Sequence, residues 1–229
     1  MRGLVAAVVT ACVVVLSASA AIAAQDGPPI VVTTGSATVA KAPDVAFVTV
    51  AVETRAKSPR DAQRQNADLM TAVGRKLSDL SVPADARRTI GVRLEQEYDN
   101  TNGRRTPRDY LARNTMEVRV DDIAKTGEIA DACVQAGATA VDGIRFDLKN
   151  RADAEHEAIR QAVADARGRA EAAAAGANRT LDRILKIEDA ERPIAVPRAM
   201  SVMRSDVSTP VEPGLIEVRA SVTLTVSMK

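Results

Sequence analysis

Hydrophobic and polar positions alternate along this chain with two distinct periods. In Val48-Thr49-Val50-Ala51-Val52-Glu53 the larger residues recur every second position, and this predicts half-buried strands over 30–38 and 45–54, with Pro43-Asp44 turning between them. Ala62, Asn66, Leu69, Met70, Val73, Leu77 and Leu80 then recur at three and four, predicting a helix opened by Ser58-Pro59 with Asp61 in its first turn. Asn66 is the one polar member of that stripe, and a structural amide bonded to backbone is the favoured reading over a ligand contact. Segments 88–98 and 110–120 read as a strand pair around a polar loop with its turn signal at 100–107. A second helix, capped by Asp121 or Asp122, carries Ile123, Ile129, Ala132 and Cys133 and ends at Gly137. A strand follows over 140–148.

The helical pattern over 153–175 is carried by small residues. Ala158, Ala162, Ala166 and Ala170 recur every fourth position, which lets a helix lie close on a sheet. Gly35 in the first strand marks a bulge or a close approach, and Gly168 inside the helix marks a crowded crossing. Asp165 with Arg169, and Arg167 with Glu171, are spaced as ion pairs on the outer side. Strands over 181–188 and 217–228 complete the elements. Between them, 192–214 holds Pro193, Pro197, Pro210 and Pro213 with Met200 and Met203. A loop this long is either disordered or an arm docking on a neighbouring subunit through Ile194, Val196, Met200 and Met203.

The first 24 residues carry a different signal. Arg2, an uncharged apolar run over 4–16 and small residues up to Ala24 predict a secretory signal peptide, leaving one domain over 25–229 in the periplasm. The competing reading is an uncleaved anchor, since 3–24 is long enough to span a bilayer; the Ala/Ser stretch over 17–24 favours cleavage. No further membrane span is predicted.

Removing Arg2 leaves 30 basic residues against 30 acidic ones. A neutral chain lacks the basic face that a nucleic-acid binder needs. Cys133 is the only cysteine after the leader, so no intrachain disulfide is expected, and its place in an apolar helical stripe reads as a buried inert thiol; the alternative is an intermolecular or redox thiol. His156 is the only histidine, and its charged helical turn reads as surface. A zinc site built on several His and Cys ligands is excluded, and a Ser-His-Asp triad would have to use His156. No catalytic, metal or cofactor-binding residues are predicted, and no cofactor. Trp is absent, which argues against aromatic sugar platforms. The candidate ligand or partner patch is Arg104, Arg105 and Arg108 in the polar loop.

Gly35 followed by Pro43-Asp44, the helix with Asn66, and Ala136-Gly137-Ala138 before Val141-Asp142-Gly143-Ile144-Arg145-Phe146 form an ordered set. With Ala164-Asp165-Ala166-Arg167 and the closing alternating strand, they resemble the SIMPL-domain family of exported bacterial proteins over roughly 30–229. That family includes periplasmic immunogenic proteins and proteins named for oxidative-stress defence. The resemblance implies an α+β fold, a mostly antiparallel sheet with about three helices packed against it. It also implies an envelope location and homo-oligomeric assembly, and it carries over no catalytic residues. The expected function is therefore a non-enzymatic envelope protein that self-assembles and contributes to envelope or oxidative-stress tolerance. The alternatives are a binding module for a small ligand or envelope polypeptide and, behind it, a hydrolase.

Overall fold

The computed structural model describes residues 27–101, 104–191, 195–197 and 212–229. Its elements are β1 (Ile30–Lys41), β2 (Val45–Ala56), α1 (Pro59–Asp79), β3 (Arg87–Thr101), β4 (Arg104–Val120), α2 (Thr126–Gln135), β5 (Ala140–Asp147), α3 (Arg151–Gly176), β6 (Leu181–Glu191), β7 (Ala195–Pro197) and β8 (Ile216–Met228). The fold is α+β, with every strand pair antiparallel.

The strands form two sheets. One has the order β3-β4-β2-β5; the other runs β1-β8-β6, with β7 also paired to β8. The first sheet is built from a contiguous β-α-β-β-α-β run whose outer pair and helices follow the ferredoxin-like split-βαβ plan. It is inserted into the second unit, to which β1 contributes from one side of the insertion and α3, β6, β7 and β8 from the other.

In the inserted unit, Ala46, Val48, Val50 and Val52 of β2 point to the helices and are fully buried with Val73 and Leu77 of α1 and Cys133 of α2. Ser58 caps α1 by accepting the Asp61 N–H at 3.1 Å. Asn66 donates its amide to Val52 O at 2.7 Å and Ala112 O at 3.0 Å, tying α1 to two adjacent strands, as the structural reading required. Gly137, at φ +116°, ends α2 in a conformation that L side chains rarely adopt.

In the terminal unit, α3 lies across β1 and β8. Ala154, Ala158, Ala162, Ala166, Ala170 and Ala174 form its buried stripe against Val218, Val222, Leu224 and Val226. The contact is close enough to exclude a methyl group. A Cβ at Gly35 would lie 2.2 Å from Ala166 N and 2.3 Å from Ala162 O. Thr33 Oγ1 donates to Ala166 O at 2.8 Å, and the Ser36 N–H donates to Asp165 Oδ2 at 3.0 Å. The Ser36 N–H, helped by Arg169, holds the Asp165 carboxyl below its ordinary range.

Three expectations are corrected. The crowded crossing is at Gly35 alone, because a Cβ on Gly168 would meet open space. The polar loop over 100–107 is mostly ladder: β3 and β4 pair as far as Thr101 with Arg104, and Pro107 is accommodated opposite Tyr98 beside a register shift. Within 192–214, Ala195–Pro197 pairs with Ile216–Val218 as a short strand. Two-residue periodicity was too brief there to signal it.

Gly35→Ala is expected to lower stability by about 3 kcal/mol, since the added methyl meets helix backbone that cannot rotate away. Gly168→Ala should instead raise it by up to about 1 kcal/mol through helix propensity. Urea unfolding of both variants measures the difference, and equal effects would contradict the packing.

Candidate functional site

The predicted arginine patch is divided by the strand that carries it. Arg104, Arg105 and Arg108 lie on the outer end of β4. Strand alternation puts Arg105 on the face opposite to Arg104 and Arg108. Arg105 sits 3.9 Å over the Tyr98 ring, and Arg108 Nη1 lies 3.4 Å from Asp99 Oδ1. The three guanidinium groups therefore do not converge. Of the candidate arm, Val196 belongs to β7, opposite Glu217, while Ile194, Met200 and Met203 lie outside the described residues.

The open face of the β3-β4-β2-β5 sheet holds a shallow cleft of about 360 Å³ lined by Phe47, Asp85, Arg88, Glu117, Arg119 and Arg145. Its residues come from all four strands of the sheet, brought together by register, and from the short 3-10 turn Ala84–Ala86 that carries Asp85: Phe47 faces both Arg119 and Arg145, and Arg88 faces Glu117. Glu117 accepts from Arg88 Nη2 at 2.8 Å and lies 3.8 Å from Arg145 Nη2. Arg145 also stacks 4.2 Å over the Phe47 ring and donates to Asp147 at 2.6 Å. Arg119 reaches Asp85 at 3.3 Å and Asp121 at 3.5 Å. Each guanidinium is thus already committed to a carboxylate, and the cleft is a cross-linked charged plate. Nothing in the sequence signalled it, because its residues are spread from Phe47 to Arg145 and meet only through strand register.

Asp147 anchors one end of this plate, where β5 leads to α3. Burial alone would raise its carboxyl. The Leu148 N–H at 2.9 Å, Arg151 at 3.1 Å and Arg145 outweigh that and hold it below the ordinary range.

Cys133 is fully buried in the inserted unit's core, and burial pushes its thiol up to about 11. A thiol so placed has almost no thiolate with which to react. His156 is exposed on the first turns of α3. Among the described residues no three His, Cys, Asp or Glu side chains gather to hold a metal ion, and no helix is long and apolar enough to cross a membrane.

The family described as SIMPL, protein of unknown function (DUF541), matches residues 31–226, which takes in β1 through nearly all of β8. The chain belongs to the SIMPL family. Among its relatives is the 26 kDa periplasmic immunogenic protein of Brucella melitensis biotype 1, 27% identical over 187 residues, covering 80% of this chain and 74% of that one. The uncharacterized protein YggE of Escherichia coli K12 is 26% identical over 165 residues, covering 71% of this chain and 65% of that one. SIMPL membership agrees with the resemblance carried by the Gly35, Asn66 and Gly137 landmarks, and two of these positions have direct physical causes: a forbidden Cβ at Gly35 and a two-strand amide clamp at Asn66.

Two outcomes follow for this SIMPL chain. A maleimide should label Cys133 only after unfolding, so labelling of the native protein over minutes would contradict its burial. Asp147, depressed in the fold, contributes stability above its unfolded pKa near about 4, and that contribution is lost as acid protonates it through its lower folded value. Asp147→Asn should therefore be less stable than wild type at neutral pH, with the gap narrowing below about pH 4 when melting temperatures are followed.

Proposed function

We propose that this chain is a non-enzymatic envelope protein, exported to the periplasm through its N-terminal leader, that acts by assembling with copies of itself. One observation carries the reading. Among the described residues, ten of the twelve exposed large hydrophobic side chains gather on edge strands: Ile30 and Val32 on β1, Ile90, Val92, Leu94 and Tyr98 on β3, Val141 on β5, and Ile184, Leu185 and Ile187 on β6; the other two are Val134 on α2 and Leu215 just before β8. The central strands β2, β4 and β8 carry none. Monomeric proteins blunt open edges with charge, proline or a covering loop, because an apolar edge with free backbone groups is a template for another strand. Here Val92 is 67% exposed and Val32 58%.

The leader over 1–24 and the periplasmic name of the Brucella relative support the location. A chain of zero formal charge after the leader adds no long-range repulsion between copies. In this reading any contribution to envelope or oxidative-stress tolerance comes from the assembled protein, since Cys133 is too buried to act as a redox thiol.

Native mass spectrometry of residues 25–229, purified gently from the periplasm, is expected to give a homo-oligomer. A bare monomer would overturn the reading, and a monomer with bound mass would favour the binding-module alternative.

A further inference from the structure

We infer that β3 pairs antiparallel with β3 of a second copy about a two-fold axis at Leu94, joining two four-stranded sheets into one of eight. The inference rests on the self-assembly reading and specifies one of its contacts. β3 ends its sheet and is bonded only to β4. Its ladder to β4 shifts register between Thr89 and Gly91 and again between Gln96 and Tyr98, so Gly91–Gln96 is the regular stretch able to template a partner.

Two charges in that stretch lack partners. Arg93 and Glu95 make no ion pair or hydrogen bond among the described residues. Arg93 lies opposite Arg113, whose charge is already taken by Glu53 and Asp142. Glu95 lies opposite Leu111. On β5 the ladder charges are closed internally, Arg145 with Asp147 and Asp142 with Arg113, and on β6 Lys186 pairs with Glu188 at 2.7 Å, next to the register shift between Ile184 and Lys186.

Symmetry then selects the register. Side chains alternate faces, so a two-fold that keeps the helices of both copies on one side must centre on a residue. Centring on Arg93 sets that residue against itself, and centring on Glu95 does the same for the acid. Centring on Leu94 sets Arg93 opposite Glu95 of the second copy, and Glu95 opposite its Arg93. Leu94, 42% exposed in the single chain, meets Leu94 of the second copy on the other face, flanked by Val92 against Gln96. Opposite charges directly across an antiparallel pair stabilise it, and like charges there destabilise it.

Sedimentation velocity on residues 25–229 tests the register. Arg93→Glu and Glu95→Arg are each expected to lower the assembled mass about twofold or more, as loss of an isologous contact requires. The double variant Arg93→Glu/Glu95→Arg restores the pairing and should restore the mass. Unchanged melting temperatures establish that the single variants still fold. Leu94→Cys should cross-link to itself under mild oxidation, with Cys133 buried and silent, while Val92→Cys should not. Single variants that keep the wild-type mass, or a double variant that stays dissociated, overturn the β3 contact and leave assembly to another edge. A wild-type chain that is monomeric at every concentration overturns assembly itself.

Discussion

The backbone of α3 rests on the backbone of β1 at Gly35. That contact determines much else. Ala162 and Ala166 are alanines because nothing larger fits between helix and sheet, and Gly35 lacks even a methyl group because the helix backbone occupies its place. The close approach brings Thr33 Oγ1 and the Ser36 N–H within bonding distance of Ala166 O and Asp165, so polar groups brought to the crossing are satisfied there. A bulkier helix would stand off the sheet, lose both bonds and leave Val218, Val222 and Leu224 under a thinner cover. The buried face of α3 is alanine throughout, so its hold on the sheet depends on proximity more than on apolar volume.

The same contact closes a loop in topology. β1 precedes the inserted unit and α3 follows it, so the terminal unit cannot form until the two ends of the insertion meet. They do so through β2 and β5, which lie side by side with Val45 opposite Asp147 and the Asp44 N–H donating to Asp147 O at 3.2 Å. The Lys149 N–H donates to Asp44 Oδ1 at 2.7 Å, pinning the two crossings to each other. Asp147 is depressed as a carboxyl because three donors or cations meet at this seam. The inserted unit is made of contiguous sequence and can fold from nearer contacts; the terminal unit must wait for ends more than a hundred residues apart.

This division marks how far the sequence could be read. Periodicity located the helices and strands, because burial on one face leaves a trace in every third, fourth or second residue. The spacing of Ala158, Ala162, Ala166 and Ala170 announced a close helix, Gly35 announced an approach, and Asn66 announced a structural amide. Partners are another matter. Nothing in 30–38 says that it pairs with 217–228 while 45–54 pairs elsewhere, since both segments alternate alike. The second sheet, the ladder past Tyr98 and the short β7 were illegible for that reason: each depends on what lies beside the strand. The charged cleft was equally hidden, its residues spread from Phe47 to Arg145 and brought together only by register. Gly168 misled because helix crowding depends on which face a residue occupies, and that position faces outward.

Alternation also fails to separate a central strand from an edge. Val50 on β2 is fully buried and Val92 on β3 is 67% exposed, yet each sits in an alternating run. What differs is the neighbour on the far side. β2 has β4 and β5 to cover its flanks; β3 has β4 alone. A hydrophobic edge is costly for a monomer, and a chain that keeps such residues on four edges has either tolerated that cost or covers them with something. Ionic patterning separates these cases. The broad faces of the inserted sheet close their charges locally, through Glu117, Glu53 and Asp147, and so present a finished surface to water. The regular stretch of β3 leaves one cation and one anion open, two residues apart, about an apolar centre. A surface completed by its own symmetry mate would carry that pattern, and solubility alone does not require it.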